Sequence, residues 1–192
     1  MRGARELKKS EVVALLATAK ASRYSERNSA MISVCLYSGL RIGESCSLLN
    51  GQVLDTSGKI KERFQLVKSQ TKNNKKRPVY LHKATIKAFT TYLSVKKSFE
   101  PSRPFLEGQR DILTPIRSNS GQQIIKKLMI KAGIEDASSH SLRKCCANSL
   151  RRNGTDMEVI RSVLDHSNLS ITSAYIQSNP LEVGQAINNI EY

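Results

Sequence analysis

The sequence contains no tryptophan and only four phenylalanines. A helix that lies on a membrane surface uses bulky aromatics beneath a basic face, so this shortage argues against that kind of attachment. No apolar run approaches the roughly 20 residues needed to cross a bilayer. The basic start MRGARELKKSE has no apolar stretch behind it and does not read as a secretory signal. Cysteine is scarce: Cys35, Cys46, Cys145 and Cys146 fall inside apolar helical patterns without CxxC spacing. That usage fits reduced core thiols in a cytoplasmic protein better than disulfides or zinc ligands. The last deficit is acid. Sixteen Asp and Glu stand against 31 Lys and Arg, a formal net charge of +15. A domain this basic usually meets a polyanion, and nucleic acid is the best fit. Charge alone does not separate DNA from RNA, or binding from chemistry.

What is present is mainly helical. A chain of 192 residues supports one substantial core. Residues 1–9 read as a short basic arm. Ser10 then reads as a helix cap, with Val12, Val13, Leu16 and Ala19 at helical spacing. The polar phrase SRYSERN separates this from a second helix near 29–38, apolar nearly all round and therefore central, which Gly39 is placed to end. From about 51 to 81 the character changes. RFQLV and RPVYL are β-prone and flank the polar turn QTKNNKK, which predicts a small antiparallel hairpin. Between Lys59 and Lys87 there are ten Lys and Arg and one acid, Glu62. Lys59, Lys61, Arg63, Lys68, Lys75, Lys76 and Arg77 are the residues expected to face phosphates there.

Helical spacing returns over about 84–97, 122–132, 141–153 and 156–164, with a short piece near 171–176. The proline-bearing stretch EPSRPFLEGQRDILTPIRSNSG reads as a loop inside one domain. The tail PLEVGQAINNIEY carries Val183, Ile187 and Ile190 on one helical face. The expected fold is mainly α with a small antiparallel β-sheet (α+β).

The stretch SHSLRKCCANSLRRNGTDMEVIRSVLDHSNLSITSAYI places His140, Arg143, His166 and Tyr175 on helical elements. Phosphodiester transfer without a metal needs a nucleophile, cationic forks for the non-bridging oxygens and a proton donor for the leaving oxygen. Arginine suits the fork because it is planar and always charged. Lysine and histidine suit the proton transfers. Tyrosine can attack if nearby positive charge or a base favours its phenolate. Each residue type taken alone has a plainer explanation: a helix cap, a surface ion pair such as Arg41 with Glu44, or a packed core tyrosine.

Together, SGLRIGE, HSLRK and LDHSNLSITSAY resemble in order and spacing the three motifs of the tyrosine recombinase (phage integrase) family, and TKNNKKRPVYL resembles its β-hairpin with the catalytic lysine. The resemblance runs from Ser10 to the final helix. It implies that Arg41 and Arg143 clamp the scissile phosphate and that Glu44 supports Arg41. It implies that His140 is a base or hydrogen-bonder and that His166 hydrogen-bonds the phosphate. Lys72, with Lys75 and Lys76 close by as alternatives, would protonate the leaving 5′ oxygen. Tyr175 would attack, giving a 3′-phosphotyrosyl link without cofactor, ATP or metal.

The same resemblance implies a cytoplasmic bacterial or phage-encoded recombinase acting on double-stranded DNA, for integration, excision or inversion of a mobile element. Its organisation would be an arm (1–9), a catalytic domain (10–179) and a C-terminal helix (180–192) docking in trans to make dimers or tetramers, with itself or another recombinase. The N-terminal clamp domain of most relatives is expected to be absent. Two departures stand out: Lys144 where many relatives have His, which adds charge without removing function, and Asp165 where Gly is usual, a carboxylate expected to weaken phosphate binding or shift the loop. The competing readings are an accessory DNA-binding protein that activates a host recombinase, and a type IB topoisomerase, which the HSLRK and LDHSNLS phrases fit less well.

Overall fold

The computed structural model of the chain describes residues 4–166 apart from 109, 110 and 112. Tyr175, the short helix expected near 171–176 and the apolar face of the tail lie outside the described residues.

Helix α1 (Lys9–Lys20) starts one residue before Ser10, because the Glu11 carboxylate accepts the Lys8 backbone N–H at 2.7 Å and closes the first turn. The arm before it is docked. Leu7 is buried, its N–H meets Cys145 Sγ at 3.3 Å, and Arg5 pairs with Glu11 at 2.6 Å. Helix α2 (Ser25–Tyr37) begins inside the expected polar break. The polar residues there are satisfied within the fold: Asn28 accepts from Arg27 and donates to Ser22 Oγ at 2.9 Å. Met31, Ile32, Val34 and Cys35 are fully buried, and α2 packs against α1 and against helices introduced below.

Short helices α3 (Ile42–Cys46) and α4 (Asn50–Val53) lead into strands β1 (Arg63–Leu66) and β2 (Arg77–Tyr80). The strands pair antiparallel with Arg63 opposite Tyr80 and Leu66 opposite Arg77. Asn74 takes a left-handed φ of 51° in the turn between them, as the expected hairpin requires. Strand alternation sends Phe64, Leu66, Arg77 and Val79 inward.

Helix α5 (Lys83–Leu93) packs on α2. The loop that follows is pinned by a buried ion pair, Lys96 with Glu107 at 3.2 Å. Glu107 also accepts the Ser98 N–H at 2.8 Å, and Lys96 donates to the Pro104 and Phe105 carbonyls. Helix α6 (Ser118–Lys131) begins four residues earlier than its apolar periodicity suggests. Ser118–Gly121 has poor helix propensity, but a Cβ at Gly121 would stand 2.6 Å from Cys46 Sγ. The close α3–α6 contact therefore needs glycine at 121 and holds this turn helical. Helices α7 (Ser139–Arg152) and α8 (Met157–Leu164) are opened by Ser138, whose Oγ accepts from the His140 N–H, and by Asp156, which accepts from the Glu158 N–H at 2.7 Å. Their interface has its own apolar cluster of Ala147, Ile160 and Leu164.

Gly39 is where this packing and the polar cleft meet. Its φ is +65°, a Cβ there would lie 3.1 Å from Leu164 Cδ2, and its carbonyl accepts from the Arg143 guanidinium. Gly39→Ala should destabilise the protein by about 2 kcal/mol in urea unfolding, from the left-handed backbone and the crowded Leu164 contact together. A value near zero would contradict this account of the junction.

Candidate functional site

Arg41 precedes α3, and Glu44 lies in the first turn of that helix, so the two close on each other locally. The Glu44 carboxylate accepts the Arg41 backbone N–H at 2.7 Å and Arg41 Nη1 at 2.8 Å. Glu44 is only 2% exposed. Its Oε2 also lies 3.8 Å from Arg77 Nη1 and 3.9 Å from Arg143 Nη1. Three guanidinium groups thus share one buried carboxylate.

Arg143, on the first turns of α7, is 2% exposed. It donates to the carbonyl of Gly39, just past the end of α2, and to the carbonyl of Leu164, the last residue of α8, at 2.7 Å. Helix C-termini present unpaired carbonyls and partial negative charge, which suits a cation. His166 Nε2 lies 3.5 Å from Arg143 Nη2, and the His166 ring is buried. Burial, reinforced by Arg143 and Arg41, pushes the His166 pKa down to about 4. His140 is depressed as well, by burial first and then by Arg143 and Arg41. Both histidines are therefore neutral at neutral pH and able to accept a proton or a hydrogen bond.

A cavity of about 250 Å³ opens over this cluster, lined by Arg41, Glu44, Gln70, Lys72, His140 and Arg143 among others. It brings together side chains separated by up to 102 positions, counted from Arg41 to Arg143. Lys72 lines it from the hairpin, whereas Lys75 and Lys76 are not among its lining residues. The hairpin is held to the helices by Gln70, whose amide donates to the Ser47 carbonyl at 2.6 Å and pairs with the Gln52 amide. The Arg41 and Arg143 guanidinium groups, with Lys72 and His140 beside them, leave this cavity suited to an anion with several acceptor oxygens, such as a phosphodiester.

The hairpin basic residues do not share one surface. Lys59, Arg63, Lys68, Lys75 and Lys76 are exposed, and Lys61 is half-buried with its ammonium on the Gly51 carbonyl at 2.8 Å. Arg77 departs from the expected phosphate-facing position. It is 4% exposed, because β2 alternation turns it inward with Val79, toward Glu44. Burial lowers its pKa while Glu44 raises it. The signal was available in the sequence, since Arg77, Val79 and Leu81 share one strand face. Asp165, the departure expected to bear on phosphate binding, reaches the first arginine. It ends α8 in the left-handed region at φ 50°, and its Oδ2 lies 3.2 Å from Arg41 Nη1. Among the described residues, no three His, Cys, Asp or Glu side chains are grouped so as to hold a metal ion, and no helix is long and apolar enough to cross a membrane.

The sequence model of the phage integrase family matches residues 5–182. Tyrosine recombinase XerC of Caldanaerobacter subterraneus subsp. tengcongensis is 32% identical over 170 residues, 86% of this chain and 45% of that protein. The chain spans about half the length of the curated relatives it matches. Among solved structures, XerA recombinase superposes with a TM-score of 0.77 at 24% identity, over 98% of this chain and 65% of that one. XerH site-specific recombinase, solved bound to a palindromic difH substrate in a post-cleavage complex, gives a TM-score of 0.73 at 18% identity, over 96% of this chain and 52% of that one. At these identities the structural likeness establishes the fold, including the helical body and its two-stranded sheet.

The depressed His166 pKa links stability to acid. An unfolded histidine titrates near 6.5, so as pH falls the unfolded chain takes up the proton first and the native state loses ground until about 4. Stability should be level above pH 7 and fall by on the order of 2 kcal/mol between pH 6.5 and 4 through this group. His166→Asn should flatten most of that slope in urea titrations. An unchanged slope would place the acid sensitivity elsewhere.

Proposed function

The chain belongs to the phage integrase family, and from that premise we propose that it is a site-specific DNA recombinase that cuts and rejoins strands through a 3′-phosphotyrosyl intermediate. The observation that carries this reading is the single cavity lined by Arg41, Lys72, His140 and Arg143, which reach it from three separate segments: the turn before α3, the hairpin turn and α7. The reaction those groups would run is balanced. Tyr175 Oη attacks phosphorus as its proton passes to a neutral imidazole, with His140 the cavity-lining candidate. Arg41 and Arg143 take the charge that develops on the non-bridging oxygens. The bond from phosphorus to the 5′ oxygen breaks, and Lys72 supplies the proton that oxygen needs. His166, held beside Arg143, hydrogen-bonds the phosphate or steadies the guanidinium. Because the phosphodiester bond is exchanged for a phosphotyrosyl bond, rejoining needs no ATP, and the chemistry proposed requires no metal.

Double-stranded DNA is the proposed partner, supported by the +15 charge, by the exposed lysines of the hairpin and by the DNA-bound state in which XerH was solved. The proposed biological setting is integration, excision or inversion of a mobile element. Assembly into dimers or tetramers would use residues 180–192, whose apolar spacing suits docking on a neighbouring protomer. An accessory role beside another recombinase remains the second reading, favoured by the carboxylate of Asp165 already resting on Arg41.

A nicked suicide duplex decides between them. The wild-type chain should become covalently joined to a 3′ DNA end, and Tyr175→Phe should abolish the adduct while changing DNA affinity less than about twofold, because a single hydroxyl contributes little beside many phosphate contacts. An adduct that survives the substitution moves the nucleophile elsewhere, Tyr192 being the next candidate. Full recombination in cells by Tyr175→Phe favours the accessory role.

A further inference from the structure

The Arg41 fork is already occupied. Nη1 donates to Glu44 Oε1 at 2.8 Å and to Asp165 Oδ2 at 3.2 Å, and Nη2 donates to the Asp165 carbonyl at 2.9 Å. These acceptors are not equivalent. Glu44 is buried beneath the fork and shared with Arg77 and Arg143, so it cannot leave without stranding three cations. The Asp165 carbonyl is fixed by the left-handed turn that ends α8. The Asp165 carboxylate is different: its side chain is 19% exposed, it rests on an Arg41 side chain that is 23% exposed, and it hangs from the backbone by one carbon. Of the three contacts it alone is both negatively charged and displaceable.

Charge points the same way. Arg41, Arg77 and Arg143 bring three positive charges around the single negative charge of Glu44, and Asp165 is the second anion on this cluster. An incoming phosphodiester monoanion has the same charge and the same kind of acceptor oxygens as that carboxylate.

We propose that the Asp165 carboxylate is an internal placeholder for the scissile phosphate, holding the Arg41 fork until DNA displaces it. This rests on the reading of the cleft as a phosphodiester site. Asp165 is then a positioning residue: it keeps Arg41 ordered in the free protein and raises the DNA concentration needed to engage the fork. It does not slow the chemical step once phosphate is bound, because by then the carboxylate has left Arg41.

Asp165→Asn separates charge from backbone, since Asn tolerates the left-handed turn and the carbonyl contact to Arg41 is unchanged. Asp165→Gly is the second variant, free of any side chain. The probe is inorganic sulfate, titrated at low chloride and followed by thermal stabilisation of the free protein. A partly exposed carboxylate–guanidinium contact corresponds to about a fivefold change in affinity, so both variants should bind sulfate about fivefold more tightly. Arg41→Gln should remove the gain, leaving Arg41→Gln/Asp165→Asn no tighter than Arg41→Gln. Sulfate affinity that is unchanged or weaker in both folded variants overturns the proposal.

On the nicked duplex, the half-saturating DNA concentration for adduct formation should fall about fivefold, with the rate at saturating DNA unchanged. A changed saturating rate with constant half-saturation would contradict a placeholder role. If neither wild type nor variant forms an adduct, the strand-cleavage reading fails by itself, and the sulfate titration still decides the role of Asp165.

Discussion

Glu44 is an ionised group taken almost completely out of water, and removing a carboxylate from water costs several kcal/mol unless cations replace the lost hydration. Here the replacement comes from Arg41 four positions into the turn after α2, Arg77 on β2 and Arg143 on α7. The dependence is mutual, because two of those guanidinium groups, Arg77 and Arg143, are themselves buried. The cluster forms only when a helix turn, a strand and a distant helix all arrive. It therefore couples the first half of the chain to the second more specifically than apolar contact does.

The surplus positive charge left by this arrangement is what makes the cleft chemically useful. A core that only needed cohesion would pair its cations one to one, or replace them with apolar side chains of similar volume. Instead Arg143 is fastened by two helix-end carbonyls, at Gly39 and Leu164, in addition to the shared carboxylate. Burial, reinforced by the same positive field, keeps His140 and His166 neutral. Rigid cations beside uncharged imidazoles are the combination a phosphoryl transfer asks of a protein: fixed stabilisation of developing charge and neutral bases close to it.

Much of this was legible before any coordinates. Helical periodicity located α2, α5, α7 and α8, and the two β-prone phrases around a polar turn located the hairpin with Asn74 at its bend. The ordered motifs brought Arg41, Glu44, Lys72, His140, Arg143 and His166 to attention, and all of them lie in or beside the cleft. The failures have physical causes. The start of α6 was hidden because Ser118–Gly121 is helical by virtue of α3 packing on Gly121, a tertiary effect that propensity does not carry. Arg77 was grouped with its basic neighbours by charge density, although strand alternation with Val79 and Leu81 turns it inward. Asp165 is legible in the sequence as a carboxylate that bears on phosphate binding, but its partner is not. Its contact with Arg41 spans 124 positions and depends on how α8 ends.

The cleft above Glu44 is the proposed seat of the phosphate at which strands are exchanged. The most direct measurement is a crystal structure of Tyr175→Phe bound to an uncleaved duplex. One phosphate should lie within hydrogen-bond distance of both the Arg41 and Arg143 guanidinium groups, with Lys72 facing its 5′ oxygen and Glu44 still beneath the arginines. A duplex bound on another face, with no phosphate reaching Arg41 or Arg143, would contradict it.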